Sequence, residues 1–537
     1  MKLSMRFRVA AILAVAGIVL APSGWAQDAR GNGAASPSGA SGPIALPAAS
    51  VTHHVLNLNG RTLRYTATAG SLPASANTPQ RIGDMFYVAY TLDGADTASR
   101  PVTFVFNGGP GAASAYLHLG AMGPKRVALN DDGTLPPPPG HLVTNESSWL
   151  PFTDMVFVDP VGTGYSRLGG KKKVKATSDG SVWGVRRDLR TLGSFIRLYL
   201  ARNGRWPSPK FVVGESYGGF RAAALPDTLE REFSISLNGT LLVSPVIEFS
   251  LAGLDGADAY RLAPWALRLP SYAATAWQHR MVPASTDGAQ TLDGFRQEVE
   301  RFALGDYLTA LAGGIPDRKA FFDRLARYTG LPADALQRMG GRIPSGQFAK
   351  LLLRGSNRIV SLYDGAIAAP DPHPDRPRFG ADPTFDPVTA RIMDAFSTYI
   401  ATDLGFKTDR AYRMLNRAIA RNWDWLSGGR QGYAGTADAL KEAMTRNEKL
   451  GVFIAHGLFD LVTPYFASSY IVAHMDLPEK LRRNVTLAVY PGGHMMYTHA
   501  AARTALARDA EAFFNATLGR AATPAPPAGP SAPAADP

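Results

Sequence analysis

The sequence predicts an α/β protein that is built on a mostly parallel central sheet. Apolar runs of strand length recur along the chain, several of them lead directly into Gly-rich turns, and helical patterns separate them. The runs of this kind are residues 102–106, 155–158, 211–213, 240–243, 451–457 and 485–490. Strands that alternate with helices form parallel sheets, because each parallel connection needs a long crossover.

A β-hairpin precedes these strands. Residues 54–65 alternate between apolar and polar positions across Asn59-Gly60, a dipeptide that favours the two-residue turn of a hairpin. Residues 85–92 have the pattern of a further strand. We therefore expect an antiparallel start that runs into the parallel part of the sheet.

The segment 211–219, Phe-Val-Val-Gly-Glu-Ser-Tyr-Gly-Gly, predicts a strand, a sharp turn and a helix around Ser216. A nucleophile on such a turn needs small residues two positions before and after it, and Gly214 and Gly218 meet this need. A Gly-x-Ser-x-Gly string also occurs as an ordinary strand-to-helix turn. The strand before it and the helical pattern after it favour the nucleophile turn of an α/β-hydrolase fold. In that fold the amide after the nucleophile, here Tyr217, helps to bind the oxyanion.

An acid and a histidine should follow the serine along the chain in this fold. Asp460 lies just beyond the strand 451–457, and His494 follows the strand 485–490. Both candidates are at the carboxyl ends of strands, where parallel sheets present their functional residues. His456 lies before its strand has ended, and we expect it to be a buried histidine that is bonded to backbone. Ser216, His494 and Asp460 are therefore the predicted nucleophile, base and orienting acid.

Roughly 200 residues separate the serine strand from the acid strand, which is far longer than a loop in a compact domain. They contain helical patterns at 292–304, 319–329, 391–400 and 410–425, with Pro-rich breaks at 370–387. We expect a large, mainly helical cap insertion over the site. Trp423 and Trp425 either line a substrate pocket or pack in the core.

Residues 1–26 have the composition of a secretory signal peptide. Lys2, Arg6 and Arg8 precede an apolar run at 9–21, and small residues flank Trp25. The run is shorter than the roughly 20 residues that span a membrane. We therefore expect export across a bacterial inner membrane, to the periplasm or beyond, without stable membrane insertion.

The domain organisation predicted from composition has six parts. They are a signal peptide (1–26), a flexible Gly/Ala/Ser/Pro-rich linker (27–50), the first part of the hydrolase core (51–246), the helical cap (247–449), the second part of the core (450–520) and a flexible Ala/Pro-rich tail (521–537).

The formal net charge of +12 is partly concentrated in residues 171–175, Lys-Lys-Lys-Val-Lys. A basic protein can bind nucleic acid or an anionic membrane. However, no aromatic interleaving or nucleic-acid fold signature accompanies the charge, and we expect a solvated loop and no nucleic-acid partner.

We also expect no cofactor and no metal ion. The glycine loop 107–111 lacks the Gly-Lys-Ser/Thr ending of a phosphate-binding loop, and 162–164 lacks the third glycine of a dinucleotide-binding loop. The chain contains no His-Glu-x-x-His pattern and no cysteine, so disulfides and thiolate metal sites are excluded.

Four motifs in this order resemble the serine carboxypeptidases, the α/β-hydrolase peptidases related to carboxypeptidase Y. They are Asn-Gly-Gly-Pro-Gly at 107–111, Gly-Glu-Ser-Tyr-Gly-Gly at 214–219, Gly-Leu-Phe-Asp at 457–460 and Gly-Gly-His-Met at 492–495. Residues 145–149 and 159–166 are also similar to blocks of that family. The chain departs from the family at Val105, where Trp is common, and at 112–114, where Cys-Ser-Ser is common. It also departs at Asp159, because Pro160 follows it directly.

The resemblance implies a serine-type carboxypeptidase that removes residues from peptide or protein C-termini through an acyl-enzyme on Ser216. It places a second oxyanion donor at the Gly109 amide. It also implies that Asn107, the Gly108 amide and a protonated Glu215 hold the substrate carboxylate, with the pKa of Glu215 raised by burial and by the approaching like charge. An exported esterase or acyltransferase with the same triad, or a binding protein without turnover, are the alternatives. The sequence predicts neither side-chain preference nor oligomeric state.

Overall fold

The structure is a computed structural model. It describes residues 45–520 except 59, 79, 170–182, 253–259, 283–290, 315–316, 378, 426–428 and 431–432. The predicted signal peptide, most of the predicted linker, the Lys-rich segment 171–175 and the predicted tail lie outside the described residues. No helix in the described part of the chain has the length and apolar character needed to cross a membrane.

The strands of the described residues are β1 (Ser50–Leu58), β2 (Arg61–Ala74), β3 (Gly83–Leu92), β4 (Val102–Phe106), β5 (Lys125–Val127), β6 (Leu142–Thr144), β7 (Asp154–Val158), β8 (Arg167–Leu168), β9 (Lys210–Glu215), β10 (Gly239–Val243), β11 (Arg358–Val360), β12 (Ala368–Pro370), β13 (Gly429–Arg430), β14 (Tyr433–Ala434), β15 (Gly451–Gly457) and β16 (Val485–Tyr490).

The α-helices are α1 (Ala115–Leu117), α2 (Val185–Arg202), α3 (Tyr217–Phe233), α4 (Ala263–Gln278), α5 (Leu292–Phe302), α6 (Leu308–Gly313), α7 (Arg318–Thr329), α8 (Ala333–Arg338), α9 (Ser345–Leu351), α10 (Phe385–Thr402), α11 (Arg417–Arg421), α12 (Ala437–Arg446), α13 (Tyr465–His474), α14 (Glu479–Arg482) and α15 (Ala500–Thr517). Segments His118–Met122 and Ala303–Tyr307 are π-helical, and Arg354–Ser356 and Met496–Thr498 are 3₁₀ turns.

A ten-stranded sheet runs through the protein in the order β1-β2-β3-β7-β4-β9-β10-β15-β16, with β8 paired to β3. The first three strands are antiparallel, and every pair from β7 to β16 is parallel. Leu58 pairs with Arg61 across the first turn, which confirms the predicted hairpin. The apolar runs that were predicted to be parallel strands are all strands of this parallel part.

Both faces of the parallel strands are buried except on the edge strand β16, as their uninterrupted apolar sequences require. On β9, Phe211 and Val213 pack in one core with Phe514 of α15. Val212, between them, packs in a second core with α2 and α3. Helices thus cover both faces of the sheet. The loops that follow the parallel strands lie at the carboxyl edge of the sheet.

The chain between β10 and β15 folds mainly into helices, which we call the helical region. A third hydrophobic cluster contains residues of α4, α5, α7 and α9. It also includes Leu458 and Phe459, which lie in the loop 458–464 between β15 and α13. We call this loop, which carries Asp460, the acid loop. The predicted helices at 292–304, 319–329 and 391–400 are confirmed as α5, α7 and α10, with ends that differ by a few residues.

The predicted helix at 410–425 is wrong, because only α11 within it is helical. The backbone before α11 instead pairs with two glycine loops of the core. Met414 O accepts from the Ala113 amide, and the Asn416 amide donates to Gly111 O. Arg413 exchanges two hydrogen bonds with Gly164. Partners that are distant in the sequence therefore override the local helical pattern.

Candidate active site

Ser216 lies on the sharp turn between β9 and α3. Its φ and ψ of 61° and −120° are in a region that residues other than glycine rarely occupy, and such strain concentrates at functional sites. A Cβ at Gly214 would lie 1.8 Å from Gly218 O, and a Cβ at Gly218 would lie 2.5 Å from Phe106 O. Only glycine fits at either position, so the predicted requirement for small residues around the serine is confirmed.

Asp460 and His494 meet beyond the carboxyl ends of β15 and β16. His494 Nδ1 lies 2.8 Å from Asp460 Oδ2, and both side chains are buried. Asp460 Oδ1 accepts from the amides of Val462 and Thr463, each at 2.8 Å, and the Thr463 hydroxyl donates to Oδ2 at 2.6 Å. Because an ionised carboxylate only accepts, Nδ1 carries the imidazole proton and Nε2 is left as the basic nitrogen.

The pKa values of this pair shift in the directions that an acid and a base of a triad require. Burial alone would raise the pKa of Asp460, but the charge of His494 and the hydrogen bonds from His494 and Thr463 hold it below its ordinary value. Burial would lower the pKa of His494, but the charge and hydrogen bond of Asp460 raise it above its ordinary value. The carboxylate therefore stays ionised and strengthens the imidazole as a base.

Ser216 is half-buried. Hydrogen bonds connect its turn to the acid loop through the residues that follow β10. The Ser216 amide donates to Val243 O at 2.9 Å, and the Thr463 hydroxyl lies 2.9 Å from Ser244 O. Among the described residues, neither Ser216 Oγ nor His494 Nε2 has a hydrogen-bond partner. Such contacts are often long without a ligand and shorten when substrate binds.

Glu215 precedes the serine and is almost completely buried. Its Oε2 accepts from Asn107 Nδ2 at 2.5 Å and from the Tyr497 hydroxyl at 2.9 Å. Burial raises the pKa of Glu215 to about 7, against the opposing effects of the His494 charge and of these two hydrogen bonds. A carboxyl group with this pKa can donate a proton in a hydrogen bond near neutral pH.

A buried ion pair lies behind Asn107. The Arg221 guanidinium donates to Asn107 O at 2.5 Å and to Asp188 Oδ2 at 2.7 Å. Arg221 is fully buried on α3, one turn after Ser216. The helix that begins directly after Ser216 thus also holds the backbone of Asn107.

Three backbone amides beside Ser216 are available to bind an anion. Within the described residues, the amides of Gly108, Gly109 and Tyr217 donate to no protein group. A Cβ at Gly108 would lie 2.5 Å from Tyr217 N and 2.9 Å from Ser216 Cβ, so this loop lies directly against the serine. Gly109 has φ +100°, which favours glycine. Tyr217 begins α3, whose amino end adds a positive partial charge.

Residues 361–367 of the helical region contact the acid loop and also the loop 491–495, which follows β16 and carries His494. We call this second loop the base loop. The His494 amide donates to Tyr363 O at 2.5 Å, and the Tyr363 ring lies edge-on to the imidazole with centroids 5.3 Å apart. The Gly365 amide donates to Phe459 O, and the Leu461 amide donates to Leu362 O. Sequence reasoning did not find Tyr363, because no motif marks it.

Trp423 and Trp425 of the helical region pack around Tyr217. Its ring centroid lies 5.4 Å from that of Trp423 and 5.7 Å from that of Trp425. Trp423 is buried and Trp425 is half-buried against Phe249. Packing is therefore their observed role, next to the residue that follows the nucleophile.

His456 is buried, as predicted, and it interacts with the backbone of Thr463 and with a side-chain hydroxyl. Its Nε2 lies 2.8 Å from the Ser468 hydroxyl. Burial lowers the pKa of His456 to about 4, so the ring is neutral at physiological pH.

The described residues contain no group of three or more His, Asp or Glu side chains that could hold a metal ion. A cavity of about 880 Å³ opens beside Leu458, Phe459, Pro491 and Gly492. Its walls include none of the predicted site residues. Its volume is therefore no measure of the substrate site.

Residues 64–251, which include the glycine loop and the serine turn, match the family model for serine carboxypeptidases. Over these residues the chain is similar to the serine carboxypeptidase family. Pheromone-processing carboxypeptidase KEX1 of Pyricularia oryzae is 40% identical over 91 residues, which are 17% of this chain and 13% of the relative. The same enzyme of Puccinia graminis f. sp. tritici is 42% identical over 137 residues, which are 24% and 19% of the two chains. The chain thus covers less than a fifth of the length of either relative.

The backbone resembles a solved carboxypeptidase over a much longer stretch. The crystal structure of Kex1Δp, a prohormone-processing carboxypeptidase from Saccharomyces cerevisiae, superimposes with a TM-score of 0.51 at 15% identity. The superposition covers 84% of this chain and 91% of that one. At this identity the likeness establishes the fold, which is the α/β-hydrolase fold.

Proposed function

We propose that this protein is a serine-type carboxypeptidase that hydrolyses C-terminal peptide bonds. The observation that carries the proposal is Glu215, a buried carboxyl group with a pKa of about 7 beside the nucleophile. An esterase has no use for a protonated acid at this position, whereas a substrate that ends in a carboxylate needs a donor there.

The proposed mechanism begins when Ser216 Oγ attacks the scissile carbonyl carbon and His494 Nε2 takes the hydroxyl proton. Asp460 keeps the imidazole oriented and stabilises its charge, and the amides of Gly109 and Tyr217 bind the oxyanion. The tetrahedral intermediate collapses, His494 returns the proton to the leaving amine, and the C-terminal residue departs. Water then attacks the acyl-enzyme with His494 as base, which regenerates Ser216 and releases the shortened peptide.

The substrate carboxylate is held by Asn107, the Gly108 amide and protonated Glu215. The carboxylate oxygens accept hydrogen bonds from all three groups, so Glu215 must keep its proton. Since the pKa of Glu215 is about 7, this condition is met in acid and is lost as the pH rises through 7. His494 must be neutral for acylation, so the pH optimum is a compromise between the two groups.

The helical region acts in this proposal as a cap, and residues 361–367 support this role because they contact the acid and base loops. We also propose that the protein is exported to the periplasm or beyond, since residues 1–26 have the composition of a signal peptide. Mass spectrometry of exported protein should find a chain that begins at Gln27. Exported protein that retains residues 1–26 would contradict this proposal.

The test compares a blocked peptide that ends in a free carboxyl group with its amidated twin between pH 5 and pH 8. Ser216→Ala supplies the baseline without turnover. We expect the wild type to prefer the free acid, with a KM that rises about fivefold between pH 7 and pH 8, because the protonated fraction of Glu215 falls from about one half to about one tenth. We expect Glu215→Gln to flatten this climb, because an amide donates at every pH.

Equal rates on the two peptides would contradict a carboxypeptidase and favour a general esterase or endopeptidase. Products that depend on an added alcohol or amine would favour an acyltransferase. An unchanged pH dependence of KM in Glu215→Gln would remove Glu215 from carboxylate binding.

A further inference from the structure

Tyr497, three residues after His494, contacts the acid that precedes the nucleophile. It lies in the 3₁₀ turn Met496–Thr498 and is completely buried. Its hydroxyl donates to Glu215 Oε2 at 2.9 Å, and its backbone carbonyl accepts from the Arg503 guanidinium at 3.0 Å. One short segment therefore carries both the base and a partner of the carboxylate-binding acid.

Two donors converge on the same oxygen of Glu215. The amide of Asn107 has a defined orientation, because its Oδ1 accepts from the Leu117 amide at 3.0 Å and its Nδ2 must then face Glu215. Burial raises the pKa of Tyr497 well above its ordinary value, so the phenol keeps its proton and donates it. Both groups thus donate to Oε2, and no described residue forms a hydrogen bond with Oε1.

We propose that Tyr497 is a positioning residue that directs the acid proton of Glu215 onto Oε1, where it can donate to the carboxylate of the substrate. A proton on Oε1 leaves Oε2 free to accept from Asn107 and Tyr497. A proton on Oε2 would compete with both donors and would leave Oε1 unable to donate. This inference rests on the proposed function and concerns the substrate subsite of the same reaction.

The space for the Tyr497 ring comes from Gly120, on the π-helical segment after α1. A Cβ at Gly120 would lie 2.5 Å from Tyr497 Cε2. Gly120 does not have a positive φ, so this position needs a small residue rather than a special backbone conformation. The Tyr497 ring therefore packs directly against the backbone at Gly120.

Several titratable groups face Glu215, and their effects must be separated from that of Tyr497. The charge of His494 lowers the pKa of Glu215, and the charge of Asp460 raises it. The hydroxyls of Tyr116 and Tyr363 are close enough to interact with it electrostatically. Tyr497 differs from these four described groups, because its hydroxyl forms a hydrogen bond with the Glu215 carboxyl group.

The test is Tyr497→Phe, which removes one hydroxyl and keeps the ring. The hydrogen bond from Tyr497 favours ionised Glu215, so its loss should raise the pKa of Glu215. The rise of KM for the free-acid peptide should therefore begin at a higher pH than in the wild type. Below that pH, KM should rise about fivefold, the size of one neutral hydrogen bond, while kcat stays within about twofold. The amidated peptide should react as with the wild type.

A matched control is Tyr307→Phe in the helical region. Tyr307 is also buried and donates its hydroxyl to Gly341 O at 2.6 Å, far from Glu215 in the fold. The Tyr307→Phe variant should show the wild-type pH dependence of KM. If Tyr497→Phe also keeps the wild-type curve, the inference is overturned. If the wild type itself does not distinguish the two peptides, the proposed function fails instead.

Infrared spectroscopy provides a readout that is independent of turnover. The difference between wild type and Glu215→Gln at pH 5 isolates the C=O stretch of protonated Glu215. With two donors on Oε2 this band should lie at low frequency, and Tyr497→Phe should move it to higher frequency. An unmoved band would mean that Oε2 is not the carbonyl oxygen, and would overturn the inference even if the variant were inactive.

Discussion

Thr463 contacts Asp460, His494 and the turn that follows β10. Its hydroxyl oxygen lies 2.6 Å from Asp460 Oδ2, 3.0 Å from His494 Nδ1 and 2.9 Å from Ser244 O. A hydroxyl has one proton to donate, so when it donates to Asp460 it can accept from the imidazole N–H. Thr463 therefore restricts both the carboxylate and the ring that the carboxylate orients.

We expect Thr463→Val to lower kcat about tenfold and to leave KM for the free-acid peptide nearly unchanged. The valine keeps the shape but removes a buried hydrogen-bond partner, which costs about 1 to 2 kcal/mol in the orientation of the pair. Steady-state kinetics at the pH optimum measure this. Thr463→Ser, which restores the hydroxyl, should recover most of kcat, and a failure of serine to do so would point to packing alone.

Sequence reasoning reached some residues of the site and missed others for a physical reason. Ser216, Asp460 and His494 follow strands, and their type and position each carry a local signal. Thr463 and Tyr497 gain their roles only because the fold brings them within hydrogen-bond distance of residues that lie far away in the sequence. A tyrosine in an apolar segment resembles a core residue until its hydroxyl partner is known.

At the scale of elements, the strand-turn-helix around Ser216 was predictable because the apolar run and the glycines that mark it are adjacent in the sequence. Gly214 and Gly218 contact each other, and the apolar run before them needs no distant partner to be a strand. The segment 410–425 is the opposite case. Its backbone hydrogen bonds go to Gly111, Ala113 and Gly164, which no local pattern reveals.

At the scale of the whole molecule, Glu215 couples the stability of the fold to pH. Its pKa rises from an ordinary value of 4.5 to about 7 in the folded protein, chiefly because it is buried. The folded state thus binds this proton more tightly than the unfolded chain. The resulting stabilisation is complete below pH 4.5 and is lost as the pH rises through about 7.

We expect the free energy of unfolding of the wild type to fall, relative to that of Glu215→Gln, by about 3 kcal/mol between pH 4 and pH 8. The glutamine has no proton to lose, and His494 titrates in both proteins, so its contribution cancels to first order. Chemical denaturation at a series of pH values measures the difference. Parallel stability curves for the two proteins would show that Glu215 is not buried with a raised pKa.

The hydrogen bonds that residues 361–367 form with Phe459, Leu461 and His494 are made by main-chain atoms. Tyr363 O, the Gly365 amide and Leu362 O are the groups that bind His494, Phe459 and Leu461. Such bonds specify the path of the chain and place almost no demand on which side chain stands at each position. Substitutions can therefore accumulate in the helical region while its course over the two loops is inherited. The family model matches residues 64–251, whereas the backbone follows that of a distant carboxypeptidase over 84% of the chain.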